Sequence, residues 1–199
     1  MPDAALLVID VQNGFCPGGN LAVPGGGEIV EGVNAAMEDH PLVVLTQDWH
    51  PAGHASFASS HDGKSPYDTI DMPYGPQILW PDHCVIGTDD AAFHPALRTD
   101  RAHAVIRKGW NPAIDSYSAF FENDRATPTG LEGYLRTRGV AAVTLVGLAT
   151  DFCVHYSALD AARLGFETTV IESLTRAIDL DGSLAAAHAA WGEAGIRAA

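Results

Sequence analysis

The sequence predicts one α/β domain over residues 1–199, with a doubly wound, mostly parallel six-stranded sheet and helices on both faces. Three observations support this prediction. The chain's 199 residues suffice for one domain with a sizeable core. Short, continuous apolar runs, typical of strands buried on both faces, alternate with helical apolar stripes. Strands that alternate with helices form parallel sheets in a three-layer sandwich.

The predicted elements follow one another in a regular order. Apolar runs predict strands at 4–9, 42–46, 103–106, 140–146 and 167–171, and a sixth strand begins within 195–199. Helical periodicity predicts helices at 28–39, 129–139, 151–164 and 183–193. The second helix begins with a capping box from Thr129 to Glu132 and ends at Gly139. Residues 51–95 lack periodicity, and so long a loop in a compact domain is usually functional.

Composition excludes several classes of function. The formal net charge of −14 argues against nucleic acid or an anionic membrane surface as a partner. No apolar run approaches the ~20 residues that cross a bilayer. No basic segment follows Met1, which argues against a signal peptide and favours the cytoplasm. The three cysteines are an odd number at wide spacing and predict no disulfide framework.

Reactive side chains follow four of the predicted strands. Asp10 follows the first strand, Asp48 and His50 the second, Lys108 the third and Cys153 the fourth. Open parallel sheets carry their sites outside the carboxyl ends of the strands. We therefore expect these side chains to converge on one edge of the sheet.

Cys153 has the context of a nucleophile, although a single cysteine is more often an inert buried thiol. Residues 147–154 turn from strand into helix, and Thr150 is the expected N-cap. The first helical turn then holds Cys153, where the helix dipole and free N–H groups favour a thiolate. The same N–H groups can receive an oxyanion. Asp10 is the carboxylate available as proton acceptor, and Lys108 would favour the thiolate further.

A metal site is predicted near the second strand. Asp48 and His50 project to the same side of an extended segment. One further histidine would complete a site of two histidines and one carboxylate with open positions. The candidates are His54, His61, His83 and His94. His83 lies in a stiff aromatic segment and stands out, whereas His94 is expected to be structural.

Two other features have ordinary interpretations. The three glycines at 25–27 lack the Lys-Ser/Thr that follows in a phosphate-binding loop, and we interpret them as a turn. Cys16 and Cys84 are most simply structural, although the proximity of Cys84 to His83 leaves a metal role open.

Several motifs together resemble the isochorismatase-like cysteine hydrolases, a family with a Rossmann-like fold. The opening motif is VIDVQNGF at 8–15, and the nucleophile motif is GLATDFCV at 147–154. The pair DWHPAGHASF at 48–57 and WPDHCV at 80–85 resembles the metal and substrate segments of the nicotinamidase/pyrazinamidase branch. RKG at 107–109 and YSAF at 117–120 fall where that branch carries its lysine and an aromatic segment.

The resemblance implies hydrolysis of nicotinamide to nicotinate and ammonia in NAD salvage, with pyrazinamide as a second substrate. Cys153 would form a thioester, Asp10 would transfer protons and Lys108 would balance the charge. The backbone N–H groups of Ala149 and Cys153 would form the oxyanion hole, and the Leu148–Ala149 peptide would be cis.

The resemblance also implies one divalent transition metal ion, zinc in the first place and otherwise iron or manganese. Its ligands would be Asp48, His50 and His83, and in some relatives the histidine at the position of His54 also approaches the metal. The ion would take the pyridine nitrogen, and Phe15 and Trp80 would flank the ring.

Other functions remain open at this point. A related amidase acting on another small carboxamide or a carbamoyl compound is the nearest alternative. A catalytically silent relative that binds a small ligand is a second, and an Fe(II) oxygenase, which also uses two histidines and one carboxylate, is a third. The sequence does not distinguish a monomer from a homo-oligomer.

Overall fold

The computed structural model describes residues 3–199. The prediction that argues against a signal peptide starts from Met1 and Pro2, and these two residues lie outside the described range. The strands are β1 Ala4–Ile9, β2 Val43–Asp48, β3 Thr69–Met72, β4 Gly75–Ile78, β5 Ala104–Lys108, β6 Ala142–Leu148, β7 Glu167–Arg176 and β8 Arg197–Ala198. The α-helices are α1 Val30–Glu38, α2 Leu131–Thr137, α3 His155–Arg163 and α4 Ser183–Ala194. No helix within residues 3–199 is long and apolar enough to span a bilayer.

Six strands form one sheet in the order β5-β2-β1-β6-β7-β8, and every neighbouring pair is parallel. Alternate side chains of β1 enter two separate cores. Leu6 and Val8 pack with α1 on one face, and Leu7 and Ile9 pack with α2, α3 and α4 on the other. Burial on both faces explains the continuous apolar runs. The predicted three-layer fold class is confirmed.

The strands extend further toward the site than their apolar runs. We predicted that the second and third strands end at residues 46 and 106. In the structure β2 and β5 continue to Asp48 and Lys108, which face each other in register. The backbone ladder continues through polar residues because it needs only N–H and C=O groups. Two chemically important side chains are therefore fixed on the sheet itself.

The irregular stretch at 51–95 contains a hairpin that the sequence analysis did not predict. Strands β3 and β4 pair antiparallel in a separate two-stranded sheet. Both strands are mostly exposed or half-buried, so neither carries the apolar alternation that marks a half-buried strand.

The predicted capping box does not form, because the N-cap position of α2 is Gly130, which makes no side-chain cap hydrogen bond. Helix α2 begins at Leu131, whose backbone N–H donates to Thr129 Oγ1 at 3.2 Å. Glu132 bonds to Arg136 one turn later instead of reaching back. Gly139 follows the helix with a φ of 74°, as predicted for a helix stop.

Candidate active site

Asp10 lies immediately after β1, and both its backbone and its carboxylate form hydrogen bonds with the hydroxyl of Thr46. Its backbone adopts a φ of 48°, an uncommon value for a residue other than glycine. The backbone N–H donates to Thr46 Oγ1 at 3.1 Å, and the Thr46 hydroxyl donates to Asp10 Oδ1 at 2.5 Å. The carboxylate is thereby fixed with Oδ2 at 2.9 Å from Lys108 Nζ.

Lys108 is fully buried and contacts four groups at the end of the sheet. Besides Asp10, its ammonium contacts Asp48 Oδ1, the carbonyl of Ser116 at 2.9 Å and Cys153 Sγ at 3.5 Å. An ammonium has three protons, and two of its partners are carboxylates. Lys108 therefore links the predicted nucleophile, the predicted proton acceptor and a predicted metal ligand.

Burial and charge act in opposite directions on these groups. Burial disfavours the Lys108 cation, but Asp10 and Asp48 outweigh it and hold the lysine pKa well above its usual value. Burial raises the pKa of Asp10, and Lys108 only partly opposes that effect. For Asp48, burial is outweighed by Lys108 and by His50, and the carboxyl pKa lies well below its usual value.

The thiol of Cys153 differs from the expectation of a thiolate at rest. Burial raises its pKa well above the ordinary value, although Lys108 opposes the shift.

The helical segment at Cys153 does not have the expected N-cap. Residues Thr150–Val154 form a π-helical turn whose N-cap position is Ala149, and the Thr150 hydroxyl donates to Thr175 Oγ1 at 2.8 Å. The prediction of Thr150 as N-cap is wrong.

A close contact between β1 and β6 brings Asp10 and Cys153 together. Gly147 has a φ of 117°, and a Cβ there would lie 2.0 Å from the carbonyl oxygen of Ile9. Only glycine permits this approach. One residue further on, the Leu148–Ala149 peptide is cis, as the resemblance implied.

Asp48, His50 and His83 form a buried group suited to a metal ion. Their ligand atoms lie within 4.8 Å of one another. His50 Nδ1 donates to the carbonyl of Gly109 at 2.9 Å, so in the neutral ring the lone pair lies on Nε2, which faces the group. That nitrogen is buried without a hydrogen-bond partner. His83 Nδ1 lies 2.8 Å from the Pro81 carbonyl. Such bonds to the far nitrogen are typical of metal-ligating histidines.

The other candidate ligands are placed differently. His54 has both ring nitrogens engaged, with Ser56 Oγ at 2.8 Å and with the Asn111 carbonyl at 2.7 Å. His54 nevertheless lies close to His50 and Asp115, and these three form a second group of ligand type. His61, His94 and Cys84 belong to no such group among the described residues.

The predicted nucleophile and two members of the metal-type group, Asp48 and His83, line one pocket. Phe15, Trp80, His83, Ala149 and Cys153 all line it. Phe15 meets the His83 ring edge-on at 5.5 Å. The pocket thus brings together the two predicted ring contacts, a predicted ligand and both residues of the predicted oxyanion hole.

Sequence reasoning missed part of this pocket. Asp115, Tyr117 and Phe152 also line it. Phe152 and Tyr117 lie within the two motifs at 147–154 and 117–120, so a role for them could have been inferred from those motifs. Asp115 gives no comparable signal, because it lies in an irregular stretch and its partners are distant in sequence.

Comparison with known proteins identifies clear relatives. A family model described as the isochorismatase domain matches residues 4–193. The nicotinamidase of Acinetobacter baylyi is 55% identical over 191 residues, which cover 96% of this chain and 88% of that protein. A solved nicotinamidase/pyrazinamidase of Acinetobacter baumanii is 52% identical, with a TM-score of 0.98 over 100% of this chain and 96% of that one. A pyrazinamidase of Pyrococcus horikoshii, solved in complex with zinc, is 34% identical, with a TM-score of 0.80 over 100% of this chain and 99% of that one.

Proposed function

Since the chain belongs to the isochorismatase family, we propose that it is an amidohydrolase that converts nicotinamide to nicotinate and ammonia in NAD salvage and also deamidates pyrazinamide. One observation carries the proposal. A single aromatic-lined pocket holds the buried thiol of Cys153 together with His83 and Asp48 of the metal-type group. Relatives over nearly the whole chain are nicotinamidases.

Cys153 and Asp10 carry the covalent chemistry in this proposal. Cys153 Sγ attacks the amide carbon while the thiol proton passes to Asp10. The attack turns the amide carbonyl into a tetrahedral oxyanion. The N–H groups of Ala149 and Cys153 receive that oxyanion. The C–N bond then breaks, the nitrogen takes the proton from Asp10 and leaves as ammonia, and a thioester remains. Water attacks the thioester, Asp10 accepts its proton, and nicotinate leaves as the thiol is restored.

The electrostatics support this proton route. Burial raises the pKa of both Cys153 and Asp10, so the resting thiol keeps its proton and Asp10 is a stronger base than an ordinary carboxylate. Lys108 remains cationic next to both groups. It stabilises whichever of the two carries the negative charge as the proton moves.

Asp48, His50 and His83 would hold one divalent transition metal ion, with zinc as the first choice and iron or manganese as alternatives. When bound, the ion supplies a Lewis-acid position for the ring nitrogen of the substrate. Phe15 and Trp80 flank the ring. His54 is left out of the proposed ligand set because both of its nitrogens are engaged elsewhere.

We further propose that residues 1–199 form one isochorismatase-like domain in which residues 51–95 carry the proposed ligand His83 and the pocket residue Trp80. A cytoplasmic location accords with the three cysteines, all free and buried, as is usual in a reducing compartment.

Ammonia release from nicotinamide tests the proposal. We expect turnover by the purified protein, a loss after chelation and recovery on addition of Zn²⁺. Other small carboxamides and carbamoyl compounds, assayed in parallel, test the nearest alternative. A protein that hydrolyses one of those amides faster than nicotinamide would overturn the assignment of substrate. No turnover of any amide would overturn the activity.

A further inference from the structure

A buried amide outside the catalytic group, that of Gln77 on β4, connects the hairpin to the pocket. Gln77 is 1% exposed. Its Nε2 donates to Asp115 Oδ2 at 2.7 Å and to the Tyr117 hydroxyl oxygen at 3.0 Å. Its Oε1 accepts from Asn123 Nδ2 and from the Tyr74 hydroxyl, each at 3.1 Å. Both ends of the side chain are therefore held.

The network fixes which way this amide points. The backbone N–H of Tyr117 donates to Asn123 Oδ1 at 3.0 Å, so Asn123 Nδ2 is the end left to donate to Gln77 Oε1. Gln77 Nε2 must then face the carboxylate of Asp115. Its two protons serve three oxygens, of which the third is the Ile78 carbonyl at 2.7 Å. A flipped amide would place oxygen against carboxylate.

The segment that Gln77 holds, residues 115–117, contacts both the wall of the pocket and Lys108. Asp115 and Tyr117 line the pocket, and the Tyr117 hydroxyl oxygen also accepts from Trp80 Nε1 at 3.1 Å. Between them, the carbonyl of Ser116 accepts from Lys108 Nζ at 2.9 Å. A shift of this segment would move the aromatic wall and a lysine partner together.

We propose that Gln77 is a positioning residue of the active site. It fixes residues 115–117 from the hairpin side, so that Trp80 and Tyr117 present their rings to the substrate and Lys108 keeps its carbonyl partner. Gln77 does not line the pocket and acts only through this segment. The inference rests on the proposed hydrolysis of nicotinamide and assigns the β3–β4 hairpin a role in it.

An exchange of polarity tests the proposal. Gln77→Glu keeps the shape but places a carboxylate where Nε2 lies 2.7 Å from Asp115 Oδ2. We expect kcat/KM for nicotinamide to fall about tenfold to a hundredfold, as displacements of about 1 Å can cost. The loss should appear mainly in KM, because Cys153 and Asp10 are held by their own strands. Adding Asp115→Asn supplies an amide donor to the new carboxylate, and the double variant should recover part of the loss.

A matched control separates positioning from a general loss of stability. Thr168→Val deletes another buried hydrogen bond, from the Thr168 hydroxyl to the Phe166 carbonyl at 3.0 Å, on β7 away from the pocket. All variants are assayed well below their melting temperatures, and Thr168→Val should keep the wild-type KM. Asp115→Asn alone is also measured, which closes the double-mutant cycle. If Gln77→Glu stays within twofold of wild type, or if the losses of the two single variants simply add in the double variant, the inference is overturned. A wild-type protein without nicotinamide turnover would instead refute the proposed function on which it rests.

Discussion

Replacing Lys108 by methionine tests the electrostatic centre of the site. Methionine keeps an unbranched chain of similar length and removes the charge. In the structure Lys108 is fully buried and contacts both Asp10 and Asp48. The variant leaves two buried carboxylates close together without a cation.

The expected loss of stability is large. Removing one partner of a buried ion pair costs about 3–5 kcal/mol, because the remaining charge is left uncompensated. In a domain of this size each kcal/mol lowers the melting temperature by about 2–4 °C. We therefore expect Lys108→Met to melt roughly 6–20 °C below wild type near neutral pH, and its kcat to fall by orders of magnitude.

The loss should shrink on acidification. Burial already raises the folded-state pKa of Asp10, and Lys108 opposes that rise. Without the lysine, the pKa of Asp10 rises further above its unfolded value. Folding of the variant then takes up a proton, so its stability is greatest below the unfolded pKa and falls as pH rises through the raised folded pKa. Asp48 loses the cation that lowers its pKa, which acts in the same direction.

Urea unfolding at about pH 5 and about pH 7.5, with chelator present, measures both effects. Lys64→Met is the matched control, because Lys64 is exposed and its loss should change stability by less than about 0.5 kcal/mol. A loss in Lys108→Met below about 1 kcal/mol near neutral pH would refute the uncompensated-charge account. An equal loss at both pH values would refute the assignment of the effect to the carboxylates.

The remaining predictions concern the individual residues and the metal. Cys153→Ala should abolish ammonia release while the protein stays folded, whereas Cys84→Ser should retain much of it; wild-type rates in Cys153→Ala would exclude the thioester. Asp10→Asn removes the proton acceptor at constant size and should lower kcat by about 10²–10⁴-fold; a substantially active variant would contradict the proton route. His83→Ala should contain no metal by elemental analysis and should lose nicotinamide turnover far more than benzamide turnover, since benzamide has no ring nitrogen, whereas His94→Ala should match wild type. Equal losses for both amides would mean that the ion is structural.

The sheet edge was predictable because parallel topology fixes where strands end. Asp10, Asp48 and Lys108 each follow or end an apolar run, and the structure places all three at the carboxyl edge of adjacent strands. Cys153 follows the fourth predicted strand for the same reason. Apolar periodicity was therefore enough to predict that these four side chains lie close together. The choice of His83 over the other histidines needed the aromatic segment around it and the resemblance to a family.

Features set by long-range contacts were not predictable from the sequence. The thiol environment depends on how completely Cys153 is buried, and local helix arguments alone favoured the thiolate. Gln77 and Asp115 are 38 residues apart, lie in segments without periodicity and meet only in the folded chain. The β3–β4 hairpin was not predicted because neither of its faces is apolar enough to give an alternating pattern in the sequence.

The register between β2 and β5 joins the two halves of the site. Asp48 and Lys108 are paired on neighbouring strands, so one backbone ladder positions both the proposed metal ligand and the cation beside the proposed nucleophile. His50 follows Asp48 by two residues, and its ring packs against Gly109, where a Cβ would lie 2.4 Å from it. A change that moved Asp48 and His50 would therefore also move Lys108. We infer that Asp48, His50 and Lys108 are positioned by one edge of the sheet, whereas His83 and the aromatic wall of the pocket are positioned by the loops.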